Sequence, residues 1–202
     1  MKKFLGKKAT FITCLVVAIV MLALVIFMCV RPVSAGLTYQ GKVKNAGVES
    51  TVKYKIWGNT MTSSESSKVD GKKNYMSMDT WVYRDGDEAV MVGYKKINKV
   101  IENGENKTKE YKELMADGMM GKAAYKDAVK VWKDLKKQNK VAYTAALQAD
   151  DSHMEISAFK LKDGEQTFTC VSAIVLVVVF VLVDAAAITF TVLSVLERRK
   201  KA

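Results

Sequence analysis

Apolar residues are arranged in two different ways along this chain. From Ala9 to Val30 and from Phe168 to Leu196 they are nearly continuous; between those blocks they come at intervals. The first block contains no charged residue and the second contains one, Asp184. Each exceeds the roughly 20 residues that cross a hydrocarbon core of about 30 Å as a helix. The pattern therefore predicts two transmembrane helices, at 9–31 and 167–196. At about 1.5 Å per residue the second block is longer than the core needs, so it tilts or extends beyond the lipid.

Between the blocks the period changes. Residues 37–44 (LTYQGKVK) and 50–57 (STVKYKIW) read as strands, with Val52, Tyr54 and Ile56 alternating with Lys53, Lys55 and Trp57. That period of two marks a half-buried strand. A polar strand follows at about 60–67. One Asp-Gly turn leads into 74–83, where Met76, Met78, Thr80 and Val82 share a face, and another leads into 88–95. Asp-Gly between alternating apolar runs is a strong hairpin signal.

Residues 102–110 (ENGENKTKE) read as a polar loop, and helical spacing begins near Lys109. The GMMG at 118–121 interrupts it; beyond, Tyr125, Ala128, Val129, Trp132 and Leu135 fall on one face with lysines opposite. An apolar stripe of that width packs on a sheet. Two last strands are expected at 141–148 (VAYTAALQ) and 153–162 (HMEISAFKLK). The order predicts an α+β domain, an antiparallel meander sheet packed by one kinked helix or helical hairpin, between two transmembrane α-helices.

Charge sets the orientation. Lys2, Lys3, Lys7 and Lys8 precede the first apolar block, and Arg198, Arg199, Lys200 and Lys201 follow the second, with only Glu197 against them. Short basic flanks stay cytoplasmic. The expected layout is a cytoplasmic N-terminus at 1–8, a span at 9–31, an extracytoplasmic domain at 36–166, a span at 167–196 and a cytoplasmic tail at 197–202. A rival reading makes the first block a signal peptide cut after Ala35, in the small-residue context RPVSA. Signal cores run about 7–15 apolar residues, and this one is longer, which favours an uncleaved anchor. All but nine of the 32 basic residues and all but two of the 21 acidic ones lie between the spans, so the whole-chain net charge of +11 falls to +4 there. The basic ends fit anionic lipid headgroups, and no nucleic-acid partner is expected. The MKK start and basic tails suit a bacterial plasma membrane.

The residues in the stretch 53–94 (KYKIWGNTMTSSESSKVDGKKNYMSMDTWVYRDGDEAVMVGY) are similar to the meander of LolA-like lipoprotein carriers and related envelope proteins. A strand ends in Gly plus a polar residue, a DGK turn follows, and a DG turn leads to an aromatic strand. The resemblance implies a curved sheet and a helical lid able to enclose an acyl chain, hence a lipid or lipoprotein ligand. This chain departs from that family in being tethered at both ends and in its shorter sheet. No binding residue is carried over.

Little chemistry is offered. No Gly-rich phosphate loop is present, and the three cysteines, Cys14, Cys29 and Cys170, all lie in the apolar blocks. With His153 the one histidine, no metal site is expected. Asp150, Asp151, Ser152 and His153 are adjacent, but catalytic triads are assembled from separated positions, so a solvated turn is the plainer reading. No cofactor and no enzymatic activity are expected. Met115, Met119 and Met120, with Trp132, form a candidate apolar binding face, set against gap-filling core.

Asp184 is the sharper candidate. A carboxylate in the middle of a span is expensive and is a functional candidate by default. Ala173, Val177, Phe180, Ala187 and Thr191 share its helical face, with Ser194 on the flank, and small residues allow close helix approach. Asp184, Ala187, Thr191 and Ser194 are therefore the candidate intramembrane interaction set. The first span offers Thr10, Thr13 and Cys14 and no cation. Three readings follow: a contact with a membrane-protein partner, a neutral acid bonded to Thr or Ser in its own hairpin, or a proton relay. The expected function is a non-enzymatic, membrane-anchored envelope protein, an accessory or assembly subunit with an external partner-binding domain. The alternative is an extracytoplasmic lipid- or lipoprotein-binding module.

Overall fold

A computed structural model describes residues 8–30 and 38–199. The basic ends at Lys2, Lys3, Lys7, Lys200 and Lys201, and the Ala35–Gly36 junction, lie outside the described residues. The chain divides into two compact units, one made of its two ends and one of residues 32–171.

In the central unit, strands β1 (Thr38–Asn45), β2 (Val48–Trp57), β3 (Thr60–Val69), β4 (Lys72–Asp85) and β5 (Glu88–Glu102) pair antiparallel in chain order. The two-residue β6 (Glu105–Asn106) folds back on the end of β5. After the helices come β7 (His153–Ile156), β8 (Lys160–Asp163) and β9 (Gln166–Thr169). β7 pairs with β5, and β9 pairs with β1 through Gln40 and Thr169. The sheet is thereby closed into an eight-stranded antiparallel barrel. An open sheet with a helical layer was the expectation; closure depends on β9, which lies at the head of the last apolar run and carries no separate strand signal. Phe168 of β9 is buried, and its ring lies where a Cβ on Gly41 would fall, 2.7 Å from Phe168 Cδ1. Glycine on β1 is what lets the closing ring in.

Tight turns join the long strands. Asp70 and Gly71 both have positive φ (50° and 76°), the geometry of a two-residue hairpin whose twist matches the strands. β5 runs well past the expected end at 95, through the segment read as a loop, and its register against β4 slips at Ser77/Met78, Asp79/Thr80 and Trp81/Val82. Such bulges sharpen the curvature a small barrel needs.

Three helices and a 3-10 turn occupy the place of the kinked helix: α2 (Thr108–Leu114), the turn Ala116–Gly118, α3 (Lys122–Gln138) and α4 (Lys140–Gln148). α4 replaces the strand expected at 141–148. The Asn139 side chain caps it, accepting from Ala142 N at 3.0 Å, and Tyr143 and Leu147, one turn apart, are both buried. Alanines at 142, 145 and 146 favour the helix over the β-like alternation of Val141 and Tyr143. The strand expected at 153–162 is split into β7 and β8 by a turn in which Ser157 Oγ donates to Lys160 O at 2.9 Å. α3 and α4 pack on the barrel's outer surface. Trp132 stacks on Tyr83 at 5.9 Å and meets Tyr143 edge-on at 6.1 Å. Trp81 stacks on Tyr125 at 4.6 Å and donates to Met120 O at 2.7 Å.

The other unit consists of α1 (Lys8–Val30) and α5 (Val171–Arg199). Both are long and apolar enough to cross a membrane. On α5 the least exposed positions, Ala173, Val177, Phe180, Asp184, Ala187, Thr191 and Ser194, recur at steps of three and four. On α1, Phe11, Cys14, Ala18, Met21 and Val25 do the same. A stripe of that period is the seam of two helices in contact.

Candidate functional site

The barrel is not filled evenly. Facing side chains follow from register: Tyr39, Tyr54, Ser63 and Met78 form one inward row, and Gly41, Val52, Glu65 and Met76 the next. Beyond them come Val43, Ser50, Ser67 and Asn74. At the end where β1 begins and β9 finishes, Tyr39, Ile56, Met61, Val82, Ile156 and Leu161 are fully buried. Tyr39 Oη donates to Ser157 O at 2.8 Å, and burial raises its pKa.

At the far end the inward residues leave a hollow. β7, β8 and β9 have four residues each, against eight to fifteen for β1–β5. No opposing strand therefore reaches the far rows. One lobe of about 260 Å³ is floored by Val52, Tyr54, Met76 and Met78, with Ser63 and Glu65 on its wall. A second, of about 270 Å³, adds Ser67, Asn74, Glu102 and Tyr111 and shares Glu65 and Met76 with the first. Tyr54 Oη donates to Asp163 Oδ2 at 2.9 Å at the rim; burial first, then that carboxylate, raises the tyrosine pKa. Neither lobe is lined by a lysine or arginine, although the chain carries a net +11. The carboxylates of Glu65 and Glu102 give the hollow the opposite sign to the outer strand faces, where Lys42, Lys44, Lys53 and Lys55 stand.

The expected binding face is dispersed. Met115 and Met119 are partly buried beside the 3-10 turn. Met120 packs against Gly93, with its Cε 2.8 Å from where a Cβ would stand. Trp132 lies in the outer cluster with Tyr83 and Tyr143. The run 150–153 makes no triad: Ser152 Oγ donates to Asp150 Oδ1 at 2.6 Å and accepts from Met91 N at 3.0 Å, while His153 Nε2 pairs with Glu88 Oε2.

In the helical unit the candidate set does lie on one stripe. Ala187 and Ser194 are buried and Thr191 is half-buried. Thr191 Oγ1 donates to Ala187 O at 2.8 Å, one turn back on its own helix. Asp184 Oδ1 is shielded from solvent and has no hydrogen-bond partner among the described residues. The hollow escaped the sequence reading, although its signal was there. In β3 the inward positions run Met61, Ser63, Glu65, Ser67, changing from apolar to polar along one strand face.

No family model, no curated protein and no solved structure matches this chain.

Proposed function

We propose that this chain is a two-pass, non-enzymatic membrane anchor that offers the hollow end of its barrel to a partner in a larger membrane complex. One observation carries the reading. The chain enters and leaves the barrel side by side, at Gln40 and Thr169, and two apolar helices flank it. The membrane attachments therefore share one end of the barrel, and the hollow occupies the other. Anchors on one end and a recess on the opposite one suit a protein that presents a surface away from the bilayer.

The lining favours a particular chemistry. Ser63, Glu65, Ser67 and Asn74 would leave an acyl chain against unpaired polar groups, and burying such groups without partners costs about 1–3 kcal/mol each. Each lobe is also smaller than the roughly 300–1,000 Å³ of typical ligand sites. A protruding protein segment that carries a basic residue between apolar ones fits better: Met76 and Met78 adapt to apolar side chains, and Glu65 meets the charge. Lipid handling is the second reading, supported by the apolar floor at Val52, Met76 and Met78.

The test is a mild-detergent pull-down of the tagged full chain from its native membrane, comparing wild type with Glu65→Lys. Loss of a specific membrane protein in the variant supports the partner reading. Equal recovery of every protein, with a phospholipid retained by wild type and lost from a Met76→Asp variant, overturns it in favour of lipid handling.

A further inference from the structure

Trp57 stands in an unusual place. It is 66% exposed at the tip of the β2–β3 hairpin, whereas Trp81 and Trp132 are both packed against tyrosines. The tip is held firmly: Val82 N donates to Asn59 O at 3.0 Å. Exposure of the ring is thus built into the fold.

Its height along the barrel follows from register. Gln40 pairs with Thr169 on one side and with Lys53 on the other, so Lys53 is level with the last residue of β9. Trp57 is four residues further toward that end of the barrel, about 13 Å at roughly 3.3 Å per residue. On the other strand, only Cys170 separates Thr169 from Val171, the first residue of α5. Cys170 is itself fastened, its N–H donating to Phe159 O at 2.7 Å. There is no linker to let the barrel drift from the level where α5 starts. Lys53 and Lys55 share the outward face with Trp57 and are exposed. Indole with flanking lysines is the composition of a membrane–water interface anchor. The β4–β5 turn at the same end carries Asp85, Asp87 and Glu88, so such a contact is confined to the β1–β3 side.

We infer that the β2–β3 hairpin rests in the headgroup layer of an anionic bilayer, with Trp57 as its interfacial anchor and Lys53 and Lys55 facing the lipid phosphates. The inference rests on α5 being a membrane span. The test uses the full chain in vesicles of mixed neutral and anionic phospholipid carrying a quencher at shallow or deep acyl positions, with Trp57→Phe as the subtraction control. The emission lost in Trp57→Phe should be quenched by the shallow label more than by the deep one. It should also be shielded several-fold from aqueous iodide relative to free indole. Iodide access equal to free indole overturns the inference. So does shielding from iodide without lipid quenching, which would mean that protein covers the ring. A chain that alkaline carbonate strips from the vesicles overturns the two-pass reading as well, whereas a retained chain with an unquenched Trp57 overturns the hairpin contact alone.

Discussion

The two ends of the barrel are built from the same strands with the same alternation, yet one is packed and the other is empty. At the packed end, Tyr39, Ile56, Met61, Val82 and Phe168 are each at most 1% exposed. Two residues further along the same faces, Val52, Ser63 and Met76 are half-buried and Glu65 is exposed. Alternation decides only which way a side chain faces. Whether it becomes core depends on what stands across the barrel, and β7–β9 are too short to stand across the far rows. A barrel with five long strands and three short ones is a core at one end and a recess at the other.

The largest test of that contrast is Phe168→Ala. Phe168 closes the packed end, edge-on to Tyr54 at 4.8 Å and against Gly41. Its truncation should cost about 3–5 kcal/mol, the range for a buried aromatic, read as a lowered midpoint in denaturant titration. Met76→Ala, in the hollow, should cost far less because its side chain already borders open space. Equal losses at the two positions would mean that the hollow is part of the core.

Much of this was legible in the sequence, and the failures have physical causes. The turns at Asp70–Gly71 and Asp85–Gly86 and the strands between them follow from local chemistry. Barrel closure does not, because it depends on Phe168 meeting Gly41 from the opposite end of the domain. β9 was also concealed by composition: the apolar run that begins at Phe168 reads as one span, while the helix starts at Val171. At 141–148 the β-like alternation was outweighed by a cap at Asn139 and by tertiary burial of Tyr143 and Leu147. For the intramembrane set, helical geometry alone was enough to place Asp184, Ala187 and Thr191 on one stripe.

Asp184 sharpens the comparison from the helical unit. The hollow's polar groups face solvent, whereas Asp184 Oδ1 is enclosed and unpartnered. An enclosed, unsatisfied oxygen costs about 1–3 kcal/mol, so Asp184→Leu should stabilise the purified chain by about that much in a detergent unfolding titration. If the same variant loses a protein that wild type co-purifies, the oxygen is kept for that partner's donor. Unchanged stability and unchanged recovery together would make Asp184 a tolerated passenger.

A smaller effect distinguishes the outer surface from the interior. Burial pushes the Asp79 carboxyl up, but bonds from Asn98 (2.7 Å) and Thr62 (2.8 Å) and the nearby Lys96 ammonium outweigh it and hold the pKa low. Asp85 is held low chiefly by Lys136, at 2.5 Å, with help from Tyr143. Carboxyls depressed in the folded state add stability above their unfolded value of about 3.9 and lose it as the pH falls through their folded values. Thermal stability should therefore hold from neutral pH down to about 4 and fall below it. Asp79→Asn should flatten that acid slope. A slope that is unchanged in Asp79→Asn and Asp85→Asn would assign it to other carboxyls.

The smallest expected effect is the most discriminating. Glu65 is exposed, faces the hollow from β3, and lies between Val52 and Met76 in register. It makes no ion pair among the described residues, and the chain around it is basic. A carboxylate kept for folding would have a partner whose loss destabilises the barrel. A carboxylate kept for recognition has none until the ligand arrives. Glu65→Gln preserves shape and hydrogen bonding while removing the charge, so the stability of the free protein should change by no more than about 0.5 kcal/mol, as for surface positions without a structural role. Recovery of a bound partner should nonetheless fall, and raising the salt should weaken wild type toward the variant, since a rim charge is screened. If Glu65→Gln costs as much as a core truncation, the far end is structural after all, and the difference between the two ends of the barrel is one of size rather than of purpose.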